Sequence, residues 1–473
     1  MGGRDRVRVK RVSELVSSLE AVALTEAKWE RDRVGALRDL VRAEEELMRA
    51  QGGVGMGVSG SFGDRWEVFE EWVNKFGVDT TAFRAEVCGG QGVGLVAERD
   101  IREGEKLIYV PRQLMITADI ALKNADMAHL FQTDILLRRI ESLALSMCVL
   151  RERLLGSQSK FAPYLDIIPQ EFSTPLWFSP DEVVALKGSP VLDKVTNRVR
   201  GHARQYCHLY NVVKSGAVPS IPPTQFTFEL FRWAVSVVMT RQNMVPTSTG
   251  GESLALIPLW DMINHSQGEY TTQYDLARDQ VEFFAMTNTP RDKQILMFYG
   301  PRPNSELLLH AGFVHRENLH DALEVRIEVD TKEPLARVKL LLLEKQGVAL
   351  VKSYGENGPV QVVGSVDVNG QLSKELVALG RVVSMDKADV EAALRDGSSL
   401  FEKERPGCLR EEVEAESRVW LKEVLEQRLA EYEGAVSGEE ENDAGQTQFY
   451  AMARSLCRLE VVMIRKAIDD LSS

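Results

Sequence analysis

The sequence predicts an α+β protein. Two stretches, about 84–110 and 254–299, read as strands: they are rich in β-branched and apolar residues and are broken by turns. Between them, from Ala118 to about Gln242, apolar residues recur at helical spacing. After about Thr331 the pattern is almost all helical again. Strand-rich and helix-rich stretches that are segregated in this way, not alternating one by one, point to α+β and away from a doubly wound sheet.

The chain has 473 residues, too many for one ordinary core, so two to four domains are expected. With 44% hydrophobic and 27% charged residues it reads as globular and not as disordered. Its 57 basic and 70 acidic residues give a formal charge of -13. That argues against nucleic acid or an anionic membrane surface as a partner, because both demand basic patches. It leaves a basic peptide open as a substrate. The cysteines Cys88, Cys148, Cys207, Cys408 and Cys457 are odd in number and contain no CxxC pair, so neither a disulfide framework nor a zinc site is expected. A reducing compartment suits them: the cytoplasm, with the nucleus as a second possibility. Met1 to Arg11 is basic without an apolar core, so no secretory signal is expected, and no apolar run reaches the ~20 residues of a membrane span.

The elements follow in order. Lys10 to Ala50 reads as one or two amphipathic helices, with Val12, Leu15, Leu19 and Val22 and then Val34, Leu37, Val41 and Leu47 on the apolar face. Gly52 to Gly63 is glycine-rich. Gly55 to Gly60 matches the dinucleotide pattern GxGxxG, but no strand precedes it, and a linker is the better reading. A short helix over about Arg65 to Phe76 leads to strands at Arg84–Ala97 and Lys106–Val110, joined by a turn at Glu103-Gly104. Ile135, Ile140, Leu143, Met147, Leu150 and Leu154 mark a buried helix, and Leu192 to Val213 another. Thr227 is placed to cap a helix through Trp233, Val235 and Met239. Turns are expected at Ala277-Arg278-Asp279 and Pro290-Arg291-Asp292. Later helices are clearest at 340–344, 388–394, 413–432 and 449–471, and the acidic run 439–443 reads as a solvated loop. No internal repeat is present.

Three separated segments carry the chemistry. Gly89-Gly90-Gln91-Gly92-Val93-Gly94-Leu95 lies between strands, where glycines let backbone approach a ligand; alone it is only a β-turn or bulge. Leu256 to Ser266 is an apolar run ending in Asn264-His265-Ser266; alone, His265 is a core histidine. Leu296-Met297-Phe298-Tyr299-Gly300 is followed by Arg302 and by His310-Ala311-Gly312-Phe313; alone, Tyr299 is a strand-end aromatic.

In this order the three segments resemble the SET methyltransferase family, with its GxG cofactor loop, Asn-His-Ser segment and tyrosine before a glycine. The resemblance implies a SET-domain β-fold with a C-terminal pseudoknot, an exception to the unknotted rule. The long helical stretch is similar to the insertion of the Rubisco-methyltransferase-like subgroup, and the C-terminal third to that subgroup's substrate-binding domain. The implied division is 1–63 for N-terminal helices and linker, 64–315 for the SET domain with its insertion at about 118–240, and 316–473 for an all-helical substrate-binding domain. Ala203-Arg204-Gln205-Tyr206, Arg232 to Ser236, Met239 to Asn243, Leu254 to Asp261 and Phe298-Tyr299-Gly300 with Arg302 resemble the actin-histidine methyltransferases in particular. This closer likeness is best over residues 65 to 320.

By position, the resemblance implies S-adenosyl-L-methionine as cofactor, no metal, and actin as protein substrate of a monomeric enzyme. Gln91, Gly92 and Val93 would line the cofactor, with Arg241, Asp261, Met262, Ile263, Asn264 and His265 around its methionine end and adenosine, and Ala311, Gly312 and Phe313 completing the pocket. Arg204, Asn243, Trp260, Tyr299 and Arg302 would face the substrate, with Tyr299 and Asn243 as the catalytic pair. Two departures stand out: Ala311 occupies a place where a small polar residue is expected, and the family's upstream cofactor-binding arginine has a counterpart only in Arg65, and only if its helix is shifted by about one turn.

These residue types suit methyl transfer, which rests on alignment and on oxygen dipoles around the moving methyl. A histidine acceptor, with an ordinary pKa near 6.5, is mostly neutral at pH 7, whereas lysine must first lose a proton. An amide such as Asn243 can fix the ring tautomer, and Trp260 can confine the flat ring. Two alternatives are a protein-lysine methyltransferase, disfavoured by Asn243, and an inactive SET scaffold that binds actin, disfavoured by the intact Tyr299 and Asn264-His265.

Overall fold

The computed structural model describes residues 3–52, 60–121, 125–352, 360–396, 400, 410–432 and 446–473. The GxGxxG stretch apart from Gly60, Cys408 and the acidic run 439–443 lie outside the described residues. The fold is α+β, and the chain divides into two compact units. The first comprises residues 1–180, 196–301 and 310–312; the second comprises 181–195, 302–309 and 313–473.

The first unit opens with helices Gly3–Leu24, Glu26–Arg31 and Arg33–Gln51. Asp32 caps the third by accepting from the Gly35 amide at 2.9 Å, and Gly52, at φ +64°, ends it. Gln51 anchors that end: its side chain donates to Tyr206 Oη at 2.6 Å and accepts from the Phe228 amide at 3.0 Å. The helix expected at Arg65 begins earlier, at Phe62, because Ser61 and Asp64 form a capping box. It runs Phe62–Asn74.

Among the described residues of the first unit, ten short strands form three sheets. β1 (Phe83–Val87) pairs antiparallel with β2 (Val93–Ala97) across the turn at 88–92. β3 (Lys106–Pro111) and the two-residue β4 (Ile116–Thr117) follow. The insertion then runs through the helix Glu141–Leu155, buried continuously from Leu143 to Leu150 and therefore enclosed on all sides. It ends in Phe228–Arg241, whose N-cap Thr227 accepts from the Leu230 amide at 3.2 Å, as the sequence predicts. Then come β5 (Asn243–Pro246), β6 (Glu252–Leu256), β7 (Asn264–His265), β8 (Thr272–Asp275), β9 (Gln280–Phe284) and β10 (Gln294–Met297). The sheet orders are β1-β2-β10-β7, β3-β9-β8 and β4-β6-β5. The 277–279 turn closes the β8–β9 hairpin: Asp275 accepts from the Ala277 and Arg278 amides, and Asp279 sits at φ +52°.

One pairing positions the site. β7 runs parallel to β10, with Asn264 opposite Leu296 and His265 opposite Met297. This brings the Asn-His-Ser segment alongside the strand that leads into Tyr299, as the expected pseudoknot requires.

The second unit corrects the expectation of an all-helical C-terminal domain. It holds a sheet of β11 (Ala322–Glu328), β12 (Leu350–Lys352) and β13 (Val360–Asp367), in the order β11-β13-β12. Leu323, Val325 and Ile327 alternate along β11, a period-2 pattern that puts Leu323 and Val325 into the core with Val366, Leu376, Leu421, Cys457 and Ile464. Helices Ala336–Lys345, Lys374–Ser384, Lys387–Asp396, Glu411–Ala430 and Gln448–Ser472 accompany it. Residues 181–195 join this unit although they fall inside the insertion by sequence. Ser189 donates to Glu460 at 3.0 Å, and the Gly188 Cα is so close to Tyr432 that a Cβ would lie 2.8 Å from its ring. No described helix is long and apolar enough to cross a membrane.

Candidate active site

The site grows from the end of the helix Phe228–Arg241 and the 3₁₀ turn Trp260–Met262. Leu259, just before that turn, holds φ +72°, a conformation unusual for a branched residue and the mark of a backbone constrained by its surroundings. The turn delivers the Asp261 side chain into the interior, where it is 1% exposed. Arg241 meets it there. Its Nη1 lies 3.4 Å from Asp261 Oδ1 and donates to the Asp261 carbonyl at 2.9 Å. Tyr164 Oη donates to Asp261 Oδ2.

Burial pushes the Asp261 carboxyl up, with Arg241 and Tyr164 opposing. Burial also works against the Arg241 charge, but Asp261, Tyr164 and Tyr299 outweigh it and move that group up. Tyr164 is pushed far above the ordinary phenol range by burial and by Asp261, so it stays protonated and donates. A buried ion pair is here held by one neutral donor.

Tyr299 stands over the same turn. Its hydroxyl donates to the Ile263 carbonyl at 2.8 Å, and its amide donates to His265 Nδ1 at 3.2 Å. His265, 6% exposed, therefore carries an acceptor at Nδ1, which places the proton of a neutral ring on Nε2. The two rings lie 5.1 Å apart. His265 is thus a buried histidine that accepts from the Tyr299 backbone.

The glycine loop joins through a side-chain relay. Asn264 Nδ2 donates to Gln294 Oε1 at 2.6 Å, and Gln294 Nε2 donates to Gln91 Oε1 at 3.0 Å. Gly94 makes this possible, since a Cβ there would lie 2.5 Å from Asn264 Nδ2 and 2.7 Å from Gln294 Oε1. Beside Gln91, a Cβ on Gly90 or Gly92 would meet nothing, and Gly92 holds φ +76°: the loop has open space against its backbone. Val93 starts β2. Met262 and Ile263 are buried beneath.

Trp260 is 8% exposed and donates its indole N–H to Thr272 at 3.0 Å. Asn243 begins β5, exposed, two residues beyond Arg241; its Oδ1 accepts from the Met244 amide at 2.8 Å. Gly312, at φ +77°, packs so closely on Ser173 that a Cβ would lie 2.6 Å from its hydroxyl; Ala311 precedes it at the end of the helix Asn304–Ala311. Arg204 is exposed on the helix Val191–Lys214, with its charge acting on Glu26, and no described contact joins it to Tyr299. Arg302, exposed, and Phe313 fall in the second unit. Arg65 is committed elsewhere, donating to the Ser61 and Asp166 carbonyls at 3.3 and 3.0 Å.

Sequence reasoning missed Tyr164 and Gln294. Tyr164 carries no local signal beyond the rule that a buried tyrosine needs a polar partner. Gln294 becomes visible only through register, because β10 pairs with β2 at Gln294–Val96 while β7 flanks its other edge.

The first unit thus carries open space beside Gly92, a buried Arg241–Asp261 pair and the Tyr299 hydroxyl on the Ile263 carbonyl. Comparison with known proteins identifies the family. Residues 92–300 match the SET domain. The actin-histidine N-methyltransferase of Xenopus tropicalis is 32% identical over 438 residues, 90% of this chain and 73% of the frog protein. The human protein of that name is 33% identical over 75% of this chain, and the chicken one 32% identical over 76%. This chain spans 59% of the human relative's length and 58% of the chicken one's. A solved structure of Rubisco LSMT bound to sinefungin and monomethyllysine superposes with a TM-score of 0.67 over 86% of this chain and 91% of its own, at 20% identity. A structure of Rubisco LSMT bound to AdoMet gives 0.64. The fold and site define a SET-domain protein. Within that class, the chain belongs to the actin-histidine N-methyltransferase family.

Proposed function

We propose that this protein transfers a methyl group from S-adenosyl-L-methionine to an imidazole nitrogen of a histidine in actin. The observation that carries the reading is the convergence of Tyr299, Asn264-His265 and the Arg241–Asp261 pair on one turn, in a chain 32% identical to an actin-histidine N-methyltransferase along 90% of its length.

The residues fit the cofactor. Arg241 Nε is buried without a hydrogen-bond partner among the described residues, which is costly unless a ligand completes it. The open space beside Gly92, between Gln91 and Val93, suits the close approach of a planar base and ribose. Arg241 and the segment Asp261 to His265 would hold the methionine end and adenosine, and Ala311 and Gly312 would close the pocket. When bound, the cofactor supplies an electrophilic methyl on a sulfonium.

The chain's own groups do the rest. Tyr299 Oη and neighbouring carbonyls offer oxygen dipoles to the methyl region. Asn243 Oδ1 has one lone pair on the Met244 amide and one left to accept a ring N–H. Holding that N–H leaves the other ring nitrogen's lone pair aimed at the methyl. Trp260 limits the rotation of the ring. Arg204 is assigned to the substrate outside the reacting atoms. The reading keeps a monomer, and it keeps the cytoplasm, which suits the free cysteines Cys88, Cys148, Cys207 and Cys457.

The test compares wild type with Asn243→Val on an actin peptide bearing the target histidine and on the same peptide with lysine in its place. Misaligned acceptors lose about 10²-fold in rate. The histidine rate is expected to fall by that order, while the lysine rate holds or rises. An equal fall on both peptides would remove Asn243 from the chemistry. Mass spectrometry of purified actin after turnover, showing no methylated histidine, would remove the activity.

A further inference from the structure

Arg198 is a half-buried cation without an anion among the described residues. It lies on the helix Val191–Lys214, and its Nη1 donates to Met239 Sδ at 3.1 Å. A thioether is a weak acceptor. Its other guanidinium N–H groups meet no acceptor among the described residues. Burial lowers its pKa, and no charged neighbour acts on it.

The sequence shows why. One turn to either side of Arg198 stand Lys194, Val195, Gly201 and His202, and the helix carries a single acidic residue, Asp193. One turn to either side of Met239 stand Val235, Ser236, Gln242 and Asn243, all uncharged. Other arginines of the same two helices are compensated. Arg200 Nη2 lies 2.7 Å from Glu26, Arg241 faces Asp261, and Arg232 lies over the Trp177 ring at 4.1 Å.

A partly desolvated charge without a counter-charge is costly, and a long arginine normally escapes the cost by turning its head to water. Arg198 instead rests its head on Met239, a residue only 9% exposed. Its Nε and Nη2 are not sealed from solvent, so a ligand can reach them. We propose that Arg198 is an anion-binding residue that takes one carboxylate, seated against Met239. A planar carboxylate matches the guanidinium fork. One unpaired cation balances one negative charge; Lys194 is already paired with Glu324 at 2.9 Å, so a doubly charged phosphate would lack its second cation. The polarizable thioether suits the apolar stem that carries a carboxylate. Met239 precedes Arg241 by two residues, so the anion sits near the end of the helix that supplies the buried Arg241–Asp261 pair. The carboxylate has two possible sources, an acidic side chain of the protein substrate or a free small acid. Only the first rests on the methyltransferase reading.

The full chain is used as wild type, Arg198→Met and Arg198→Lys. In the first arm sodium acetate replaces sodium chloride at constant ionic strength. Wild type is expected to melt about 2 °C higher in acetate, Arg198→Met to stay unmoved, and Arg198→Lys to fall between, since it keeps the charge and loses the fork. In chloride, Arg198→Met should melt no lower than wild type, because it removes an unpaired charge. In the second arm initial rates are measured on purified actin, with S-adenosyl-L-methionine affinity in parallel. A substrate carboxylate predicts that Arg198→Met raises KM by about tenfold at unchanged cofactor affinity, and that acetate raises KM in wild type alone. A free acid predicts the acetate shift in melting with no change in KM. Either result supports the site and tells the sources apart. An acetate shift absent from wild type or equal in Arg198→Met, with KM unchanged, would overturn the proposal. So would a lower melting point of Arg198→Met in chloride with cofactor affinity and KM lost together, the mark of a structural arginine. Failure of wild type to methylate actin would overturn the enzyme reading instead, and the acetate arm would still judge Arg198.

Discussion

Replacing Asp261 with alanine should be among the most damaging single changes in the first unit. Its carboxylate is 1% exposed, lies 3.4 Å from Arg241 Nη1 and accepts from Tyr164. At an effective dielectric of 20, two unit charges at that separation attract by about 5 kcal/mol. Removing one partner from a buried pair typically costs about 3–5 kcal/mol, because the remaining charge is stranded. The alanine variant should therefore lose about 3–5 kcal/mol of unfolding free energy, read by urea denaturation followed through tryptophan fluorescence. Tyr164→Phe removes only a donor and should cost about 1 kcal/mol. The decisive variant removes both charges. Arg241→Met with Asp261→Leu should regain much of the stability, since apolar isosteres often replace a buried pair without loss. It should not regain cofactor affinity if those polar groups hold the ligand. A cost below about 1 kcal/mol for Asp261→Ala, or a double variant no more stable than the single one, would refute this account of the pair.

Other outcomes follow from groups away from the reacting atoms. Glu44 is buried with an unpartnered Oε1 among the described residues, and burial raises its carboxyl from 4.5 to about 8. The folded chain keeps a proton that the unfolded chain has released, so stability falls as pH rises through that window, by up to about 5 kcal/mol. Glu44→Gln should match wild type near pH 4.5 and gain an advantage that grows toward pH 8; parallel melting curves would contradict this. His202 acts in the opposite sense. Burial and then Arg232 lower its pKa to about 3, so its neutral form loses stability as pH falls below 6.5, and His202→Phe should flatten the acid limb of the melting profile. Gly312→Ala meets both a positive φ and the Ser173 contact, and should cost about 1–3 kcal/mol along with cofactor affinity. A wild-type melting point would show that the turn relaxes.

What was legible in the sequence was what repeats or punctuates. The Thr227 cap, the 277–279 turn and the buried helix through Leu143 and Leu150 follow from local chemistry, and the structure has them. The strand β11, where Leu323, Val325 and Ile327 alternate, precedes the helical pattern that starts at about Thr331 and is placed in a helical domain by the resemblance alone, whereas β12 and β13 fall inside the stretch read as helical. The site was legible as three segments, since Gln91, Asn264-His265 and Tyr299 are named by order. The connections between them were not. Gln294 bridges the first two only because β10 lies between β2 and β7, and the sequence does not state a register. Residues 181–195 read as part of the insertion, but their burial is decided by Tyr432 and Glu460, far along the chain.

The parallel pairing of β7 with β10 has a consequence for how the protein matures. Asn264 and His265 have no strand partner until Leu296 and Met297 arrive, so the two halves of the site can only be completed together. Closing such a contact costs loop entropy before any pairing rewards it, which places it among the slower events of folding. A nascent chain that has not yet delivered Met297 lacks Tyr299 as well, so the site can form only after β10 is made. In the finished protein the Ser266 amide, bound to the Met297 carbonyl, becomes a reporter: its hydrogen-exchange rate measures how often that joint opens. Each opening interrupts both halves of the site at once.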